Sequence, residues 1–231
     1  INNNSSANQL LPGQDLRVGV DLIADKKDGA LIVIGSTPKL DKISSGGIIL
    51  SDCKYSPEML SELSKMDGAI VVDESVTKIL KANVHLNPSD TIATTQTGTR
   101  HRTAERTSVV TGLTVIAVSE ETSLIKVFEN LETKELEESS AILGRVNESL
   151  QSVDRMRRRF DDAVTTLGEL EIENTLTNQE VLEVIQRGEL LTRLANQVKK
   201  EAFKLGEDSG LILIQLDSLE SGVLNTLNLV L

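Results

Sequence analysis

The stretch SPEMLSELSKMDGAIVV (56–72) decides the fold class, because it joins an amphipathic helix to a buried strand through one turn. Ser56 is a favoured N-cap residue, and Pro57 suits the first position of a helix. One face of this helix is apolar: Leu60, Leu63 and Met66. Asp67 and Gly68 form a turn signal, and the four residues after them are all apolar, as in a strand that is buried on both faces. The stretch therefore predicts a helix that ends at Asp67-Gly68 and a strand over AIVV.

The same alternation of helical patterns and apolar runs extends through the first half of the chain. Helical spacing occurs at LRVGVDLIA (16–24) and from about residue 101 to 111, where Gly112 stops the helix. Further apolar runs occur at ALIVIG (30–35), ILKANVHL (79–86), TVIAVS (114–119) and LIKVFE (124–129). This alternation predicts an α/β fold, a mixed sheet flanked by helices, in which functional sites form at strand ends and helix starts.

The second half of the chain predicts an all-α helical bundle or spine. Proline is absent from about residue 133 onwards, and apolar residues recur at helical spacing over 142–153. Thr177 and Glu180 form a capping box at the start of a second helix, and residues 211–231 supply a third. We therefore expect three parts. Residues 1–10 are a disordered or appended start that contributes nothing to the fold, residues 11–132 form the sheet domain, and residues 133–231 form the helical domain.

Composition excludes several functional classes. The chain has 231 residues with 24 Lys and Arg against 35 Asp and Glu, so its formal charge of −11 opposes non-specific nucleic-acid binding. With no Trp, one Tyr and three Phe, it has too few rings for a base-stacking platform. Cys53 is the lone cysteine and no apolar stretch is long enough for a membrane span, so we expect a cytoplasmic protein. Two histidines and one cysteine are too few for a structural zinc site, whereas a hard metal held by carboxylates and phosphates stays open.

The segment TGTRHRTAER (97–106) concentrates positive charge in an otherwise acidic chain. Its cationic side chains are Arg100, His101, Arg102 and Arg106. Thr97 and Thr99 lie where a helix N-cap is expected, so backbone N–H groups, the helix dipole and guanidinium donors would converge, as in phosphate sites. The alternative is a solvated helix face on which Glu105 pairs with the arginines.

The tripeptide Asp-Gly-Ala occurs twice, at 28–30 and 67–69, each time directly before an apolar strand. Asp-Gly is common in turns because Gly accepts positive φ, so most such matches are purely structural. The second copy stands out because it follows the capped helix and precedes the cationic segment. We assign the structural role to the first copy.

Three segments resemble the DGA and RHR motifs of the diadenylate cyclase (DAC) domain family: SELSKMDGAIV (61–71), ANVHLNPSDTI (82–92) and GTRHRTAERT (98–107). PGQDLR (12–17), the Gly46-Gly47 turn and LEIENTLTNQEV (170–181) are similar to the DNA integrity scanning protein DisA family, whose members join a DAC domain to a helical middle domain. The resemblance implies condensation of two ATP into cyclic di-AMP and two pyrophosphates, at sites between facing protomers of a homo-octamer. No counterpart of the family's C-terminal helix-hairpin-helix domain follows Leu231, so the chain is either truncated or naturally without it, and we expect it to bind duplex DNA only feebly.

The resemblance also implies roles for individual residues. Asp67 is the expected catalytic residue and ligand of Mg²⁺ or Mn²⁺. The expected ATP-binding residues are Gly68, Ala69, Leu86, Thr99, Arg100, His101, Arg102, Thr103 and Ser119. The segment SEETSLIKV (119–127) departs from the family pattern, which has arginines there, and leaves the triphosphate contacts of this loop open. A degenerate sensor that binds ATP or cyclic di-AMP and a structural oligomerisation protein are the alternative functions.

Overall fold

A computed structural model of the chain describes residues 8–129 and 131–230, except for the side chains of residues 207 and 208. These residues form two compact units that divide between Glu138 and Ser139. The division lies six residues beyond the predicted one, because residues Glu132–Leu136 form a strand that pairs with Ile125–Glu129 in the sheet. Of the predicted start, residues 1–7 lie outside the described residues. Leu10, however, packs in the core of the first unit.

The first unit contains one mixed sheet. Its strands are β1 (Ala30–Ile34), β2 (Ser44–Ser45), β3 (Ile48–Lys54), β4 (Ala69–Val72), β5 (Lys78–Leu86), β6 (Thr114–Val118), β7 (Ile125–Glu129) and β8 (Glu132–Leu136). The strand order is β2-β5-β4-β1-β6-β7-β8, and β3 also pairs with β5. β1 and β4 run parallel, whereas the other described pairs are antiparallel. The predicted fold class is confirmed.

Helices cover both faces of this sheet: α1 (Asp15–Asp25), α2 (Pro38–Ile43), α3 (Pro57–Leu63) and α4 (Thr99–Thr111). Alternate residues of β1 belong to different cores, since Ile32 packs in the same cluster as α1 and α3 and Val33 packs in the cluster that contains Ala104 of α4. Burial on both faces explains why the central strands are apolar without alternation. The helix α3 ends at Leu63, four residues earlier than predicted, and the Ser64 hydroxyl donates to the Ser61 carbonyl there.

The second unit is helical, as predicted. It comprises α5 (Ser139–Ile172), α6 (Asn178–Ala202), a 3₁₀ segment (Phe203–Ser209), α7 (Gly210–Glu220) and α8 (Val223–Val230). The capping box of Thr177 and Glu180 at the start of α6 is confirmed. The third predicted helix is interrupted at Gly222, whose φ of 77° is incompatible with a continuous helix. No helix in the described part of the chain combines the length and apolarity needed to cross a membrane.

Candidate active site

A cavity of about 1180 Å³ opens in the first unit, where the start of β4, the end of β5, the first turn of α4 and the turn after β6 come together. The predicted site residues that line it are Asp67, Gly68, Ala69, Leu86, Thr99, Arg100, His101, Thr103 and Ser119. Arg102 is exposed on α4 and does not line the cavity. The tertiary structure thus gathers predicted site residues that are up to 52 residues apart in the sequence, from Asp67 to Ser119.

Gly68 is the residue that lets the Asp-Gly-Ala turn approach β5. A Cβ at this position would lie 2.6 Å from the Val84 nitrogen and 2.7 Å from the Asn83 Cα, and nearer still to the Asn83 carbonyl carbon. These are backbone atoms and cannot move aside, so only glycine fits. The Gly68 N–H donates to the Asn83 side-chain oxygen at 3.1 Å, which ties the turn to β5.

Asn83 lies at an irregularity in the pairing of β4 with β5, where the register shifts between Ala69 and Val71. Its φ is 55°, a left-handed conformation that Asn adopts more readily than other side chains that carry a Cβ. The bulge turns the Asn83 amide back towards Gly68. The position of Asp67 therefore depends on a local deviation from regular sheet structure.

Asp67 is exposed at the lip of the cavity. Within the described chain, no hydrogen bond or ion pair engages its carboxylate, which leaves both oxygens available to a ligand. No group of three or more His, Cys, Asp or Glu among the described residues could hold a metal by itself. The Asp67 carboxylate at the lip of this cavity nevertheless fits Mg²⁺ or Mn²⁺, which accept one or two protein carboxylates and complete their shell with phosphate oxygens and water.

The first turn of α4 forms the cationic side of the cavity. The N-cap is Gly98 rather than Thr97 or Thr99, and it offers no side-chain cap. The N–H groups of the first turn are therefore open to an anion, and the helix dipole favours negative charge at this end. Thr99 and Arg100 belong to this turn and line the cavity. The arrangement has the features of a phosphate site.

The four cations of the 97–106 segment have different surroundings. Arg106 is structural, because its side chain donates to the Ile92 carbonyl at 3.0 Å and pairs with Asp90. Glu105 accepts a hydrogen bond from the Thr94 hydroxyl, so the expected pairing of Glu105 with the arginines is not what the structure shows. The solvated-face interpretation therefore fits Arg102, whereas Arg100 faces the cavity.

His101 lies half-buried in the cavity wall. Its pKa is lowered from 6.5, first by burial and then by the positive charges of Lys126 and Arg100. At neutral pH the imidazole is therefore uncharged. It can act as a hydrogen-bond donor or acceptor to a nucleotide without adding charge.

Two family models match the chain: the nucleotide-binding region of DisA bacterial checkpoint controllers over residues 17–133, and the DisA linker region over residues 136–231. The chain belongs to the DisA family. The expectation drawn from the DGA and RHR segments is thereby confirmed.

Curated relatives of this DisA-family chain carry the name DNA integrity scanning protein DisA. The protein from Kineococcus radiotolerans is 44% identical over 214 residues, which are 93% of this chain and 59% of the relative. The protein from Streptomyces griseus is 41% identical over 219 residues, which are 95% of this chain and 58% of the relative. The chain thus spans less than three fifths of the length of these relatives. A solved structure of DacA from Staphylococcus aureus is 33% identical and covers 51% of this chain and 80% of that chain, with a TM-score of 0.43.

The turn after β6 begins the segment SEETSLIKV (119–127), whose triphosphate contacts the sequence alone leaves open. The Ser119 N–H donates to the Leu124 carbonyl at 2.9 Å, and the Ser123 hydroxyl donates to the Ala24 carbonyl at 2.9 Å, so the turn is fixed at both ends. The Ser119 Oγ accepts from the Thr122 N–H, which leaves its own proton free to donate into the cavity. Glu120 and Glu121 are exposed and line the same space.

Sequence reasoning missed two cations of the cavity wall, Lys27 and Lys126. Lys126 interrupts the apolar strand β7, is half-buried, and donates to the Gln96 side-chain oxygen at 3.0 Å. A charged residue inside an apolar strand was the available signal. Lys27 directly precedes the first Asp-Gly-Ala copy, but only the pairing of β1 with β4 brings that copy to the cavity. Both lysines are suited to phosphate, and they line the same cavity as the turn after β6.

Proposed function

We propose that the chain is a diadenylate cyclase that condenses two ATP into cyclic di-AMP and two pyrophosphates. The observation that carries the proposal is the cavity, in which the unpaired Asp67 carboxylate and the cationic start of α4 share one space. Membership in the DisA family supports the same reaction. A cytosolic location is part of the proposal, because ATP is the substrate and Cys53 is free.

Asp67 would hold the divalent cation and orient the attacking 3′-hydroxyl. Bound Mg²⁺ or Mn²⁺ neutralises phosphate charge and lowers the pKa of a nearby hydroxyl. The Asp67 carboxylate is also placed to accept a hydroxyl proton directly. Gly68 lets the turn that carries Asp67 lie against β5, since a side chain there would meet the β5 backbone.

The start of α4 would bind the triphosphate. Backbone N–H groups, the hydroxyls of Thr99 and Thr103 and the guanidinium of Arg100 are donors on one wall of the cavity. The Ser119 hydroxyl faces them from the turn after β6, and Lys27 and Lys126 add charge. Buried Leu86 and Ala69 would pack against adenine. Positioning and charge stabilisation are what phosphoryl transfer requires of a protein.

The reaction requires two such cavities to face each other. Each 3′-hydroxyl must attack the α-phosphorus of the other ATP in line with the departing pyrophosphate, which one concave site cannot arrange. We therefore propose face-to-face protomers within a larger homo-oligomer, an octamer by family resemblance. Arg102, which is exposed beside the cavity, would then be available to the nucleotide of the facing protomer.

Incubation with ATP and Mn²⁺, followed by chromatography, tests the proposal through Asp67→Asn. We expect cyclic di-AMP and pyrophosphate from the wild type and at least a ~100-fold lower rate from the variant, because a neutral amide binds a hard cation poorly and cannot accept the proton. Asp28→Asn is the matched control in the other Asp-Gly-Ala copy and should retain turnover. Loss of activity in Asp28→Asn but not in Asp67→Asn would show that the wrong copy is assigned.

A sensor that binds ATP or cyclic di-AMP without turnover is the second candidate. The observation that favours it is the pair Glu120 and Glu121, whose negative charges line the cavity and oppose the triphosphate of ATP more than the two phosphodiesters of cyclic di-AMP. The same incubation separates the two functions, because a sensor would bind ATP or cyclic di-AMP in a calorimetric titration and release no pyrophosphate. A purely structural oligomerisation protein would do neither.

A further inference from the structure

We infer that Gly29, in the first Asp-Gly-Ala copy, is a positioning residue that seats the Arg100 guanidinium in the phosphate site. The role of this contact in catalysis rests on the proposed function. The contact itself, which we call the seat of Arg100 on Gly29, rests on the geometry alone. It adds Gly29 alone to the site and leaves the structural role of Asp28 unchanged.

The contact between the two residues is close and specific. A Cβ on Gly29 would lie 2.5 Å from the Arg100 Cζ and 2.7 Å from Nη2, and nearer still to Nη1. All three nearest atoms belong to the guanidinium, so the end of the Arg100 side chain occupies the space that any other residue at position 29 would fill. Arg100 is half-buried and lines the cavity.

Packing on Gly29 is what locates this guanidinium. In the described part of the chain, no carboxylate lies within ion-pair distance of Arg100, unlike Arg106, which pairs with Asp90. An arginine held by an acidic partner would be partly neutralised before phosphate arrived. Arg100, held against a backbone surface, keeps its five N–H donors for an anion.

The pairing of β1 with β4 explains why the first copy reaches the site. These strands are parallel neighbours with Ile32 opposite Ile70, so the turns that precede them open at the same edge of the sheet. The two copies then serve one cavity in different ways. The second copy presents the Asp67 carboxylate, and the first presents a bare backbone surface for Arg100.

The two glycines differ in what a side chain would disturb. A Cβ at Gly68 meets the backbone of β5, so its replacement strains the fold, whereas the three atoms nearest to a Cβ at Gly29 all belong to the movable end of Arg100. Gly29 also lacks the positive φ of the glycines that need their conformational freedom. Gly29→Ala should therefore fold normally and displace Arg100.

A double-mutant cycle of Gly29→Ala and Arg100→Ala tests the inference, with calorimetric affinity for a non-hydrolysable ATP analogue and for inorganic tripolyphosphate. We expect Arg100→Ala to weaken binding by ~10- to 100-fold, as for loss of a charge-assisted hydrogen bond. Gly29→Ala should weaken it by ~10-fold, and the double variant should match Arg100→Ala rather than the product of the two losses. Asp28→Asn is the control in the same turn and should bind like the wild type.

The Arg Nε–H resonance of Arg100, assigned by its absence in Arg100→Ala, gives a readout that needs no ligand. We expect it to shift in Gly29→Ala while the melting temperature stays close to that of the wild type. The inference would be wrong if the losses of affinity multiplied in the double variant, or if the Arg100 resonance did not shift in Gly29→Ala. It would also be wrong if Gly29→Ala lowered the melting temperature strongly and the double variant showed the same loss. A wild type that binds neither nucleotide nor tripolyphosphate would instead contradict the proposed function, and the resonance would still decide the seat.

Discussion

At the residue scale, Asn83 holds the turn that carries Asp67, through its left-handed backbone and its bond to the Gly68 N–H. We expect Asn83→Ala to lower the free energy of unfolding by roughly 2 kcal/mol, about 1 for the left-handed backbone and about 1 for the lost hydrogen bond. Asn83→Gly should regain the backbone part but still lose turnover. Urea unfolding and the cyclase assay measure the two effects.

Asn83→Asp is the matched control, because it keeps an acceptor for Gly68 and tolerates the left-handed conformation. It should retain more turnover than Asn83→Gly. Full turnover in Asn83→Gly would mean that the hydrogen bond does not position Asp67.

His101 provides a prediction about pH. Burial, Lys126 and Arg100 lower its pKa from 6.5, so the folded protein takes up this proton less readily than the unfolded chain. Its contribution to stability is therefore complete above pH 6.5 and is lost as the pH falls from 6.5 towards and below the folded pKa. Lys126→Met removes one of the repelling charges and should raise the pKa of His101, as measured by NMR titration. An unchanged pKa of His101 would mean that the charge of Lys126 does not contribute to the shift.

At the element scale, the helical period of α4 determines which of its side chains face the cavity. Arg100 and Thr103 face the cavity, whereas Arg102, two residues or about 200° further round, does not. We expect Arg100→Ala to weaken ATP binding by ~10- to 100-fold. Arg102→Ala should leave binding to one chain nearly unchanged and lower turnover, if Arg102 acts on the nucleotide of a facing protomer. Calorimetry and the cyclase assay separate these effects. Equal losses of affinity in both variants would contradict the different orientations of Arg100 and Arg102.

At the scale of the whole molecule, assembly and charge determine the expected behaviour. Facing cavities require at least a dimer, and the family resemblance implies a larger ring, so we expect light scattering after size exclusion to give a mass above that of a dimer. A monomer at micromolar concentration would exclude a preformed ring. With a formal charge of −11, the chain should bind duplex DNA no more tightly than ~10⁻⁴ to 10⁻⁶ M, the non-specific range at physiological salt. Sub-micromolar binding of duplex DNA would contradict this prediction.

Much of the fold could be read from local sequence because its signals are local. The central strands are apolar throughout, Ser56 and Thr177 cap their helices, and Gly112 ends α4 in a left-handed conformation. The edge strand β8 could not be read in this way, because ETKEL is polar and becomes a strand only by pairing with β7. The strands β2 and β3 were missed for a similar reason, since both pair with β5 and none of their residues is buried.

The sequence by itself determined the α/β class, the helical second unit, the Asp-Gly-Ala turn at Asp67 and the cationic start of α4. Each of these depends on residues within a few positions of one another. Only the tertiary structure decided that Lys27, Gly29 and Lys126 belong to the same site. Their place follows from the parallel pairing of β1 with β4 and from the neighbouring β6 and β7. Strand pairing is selected by burial and packing between distant segments, which leave no local pattern in the sequence.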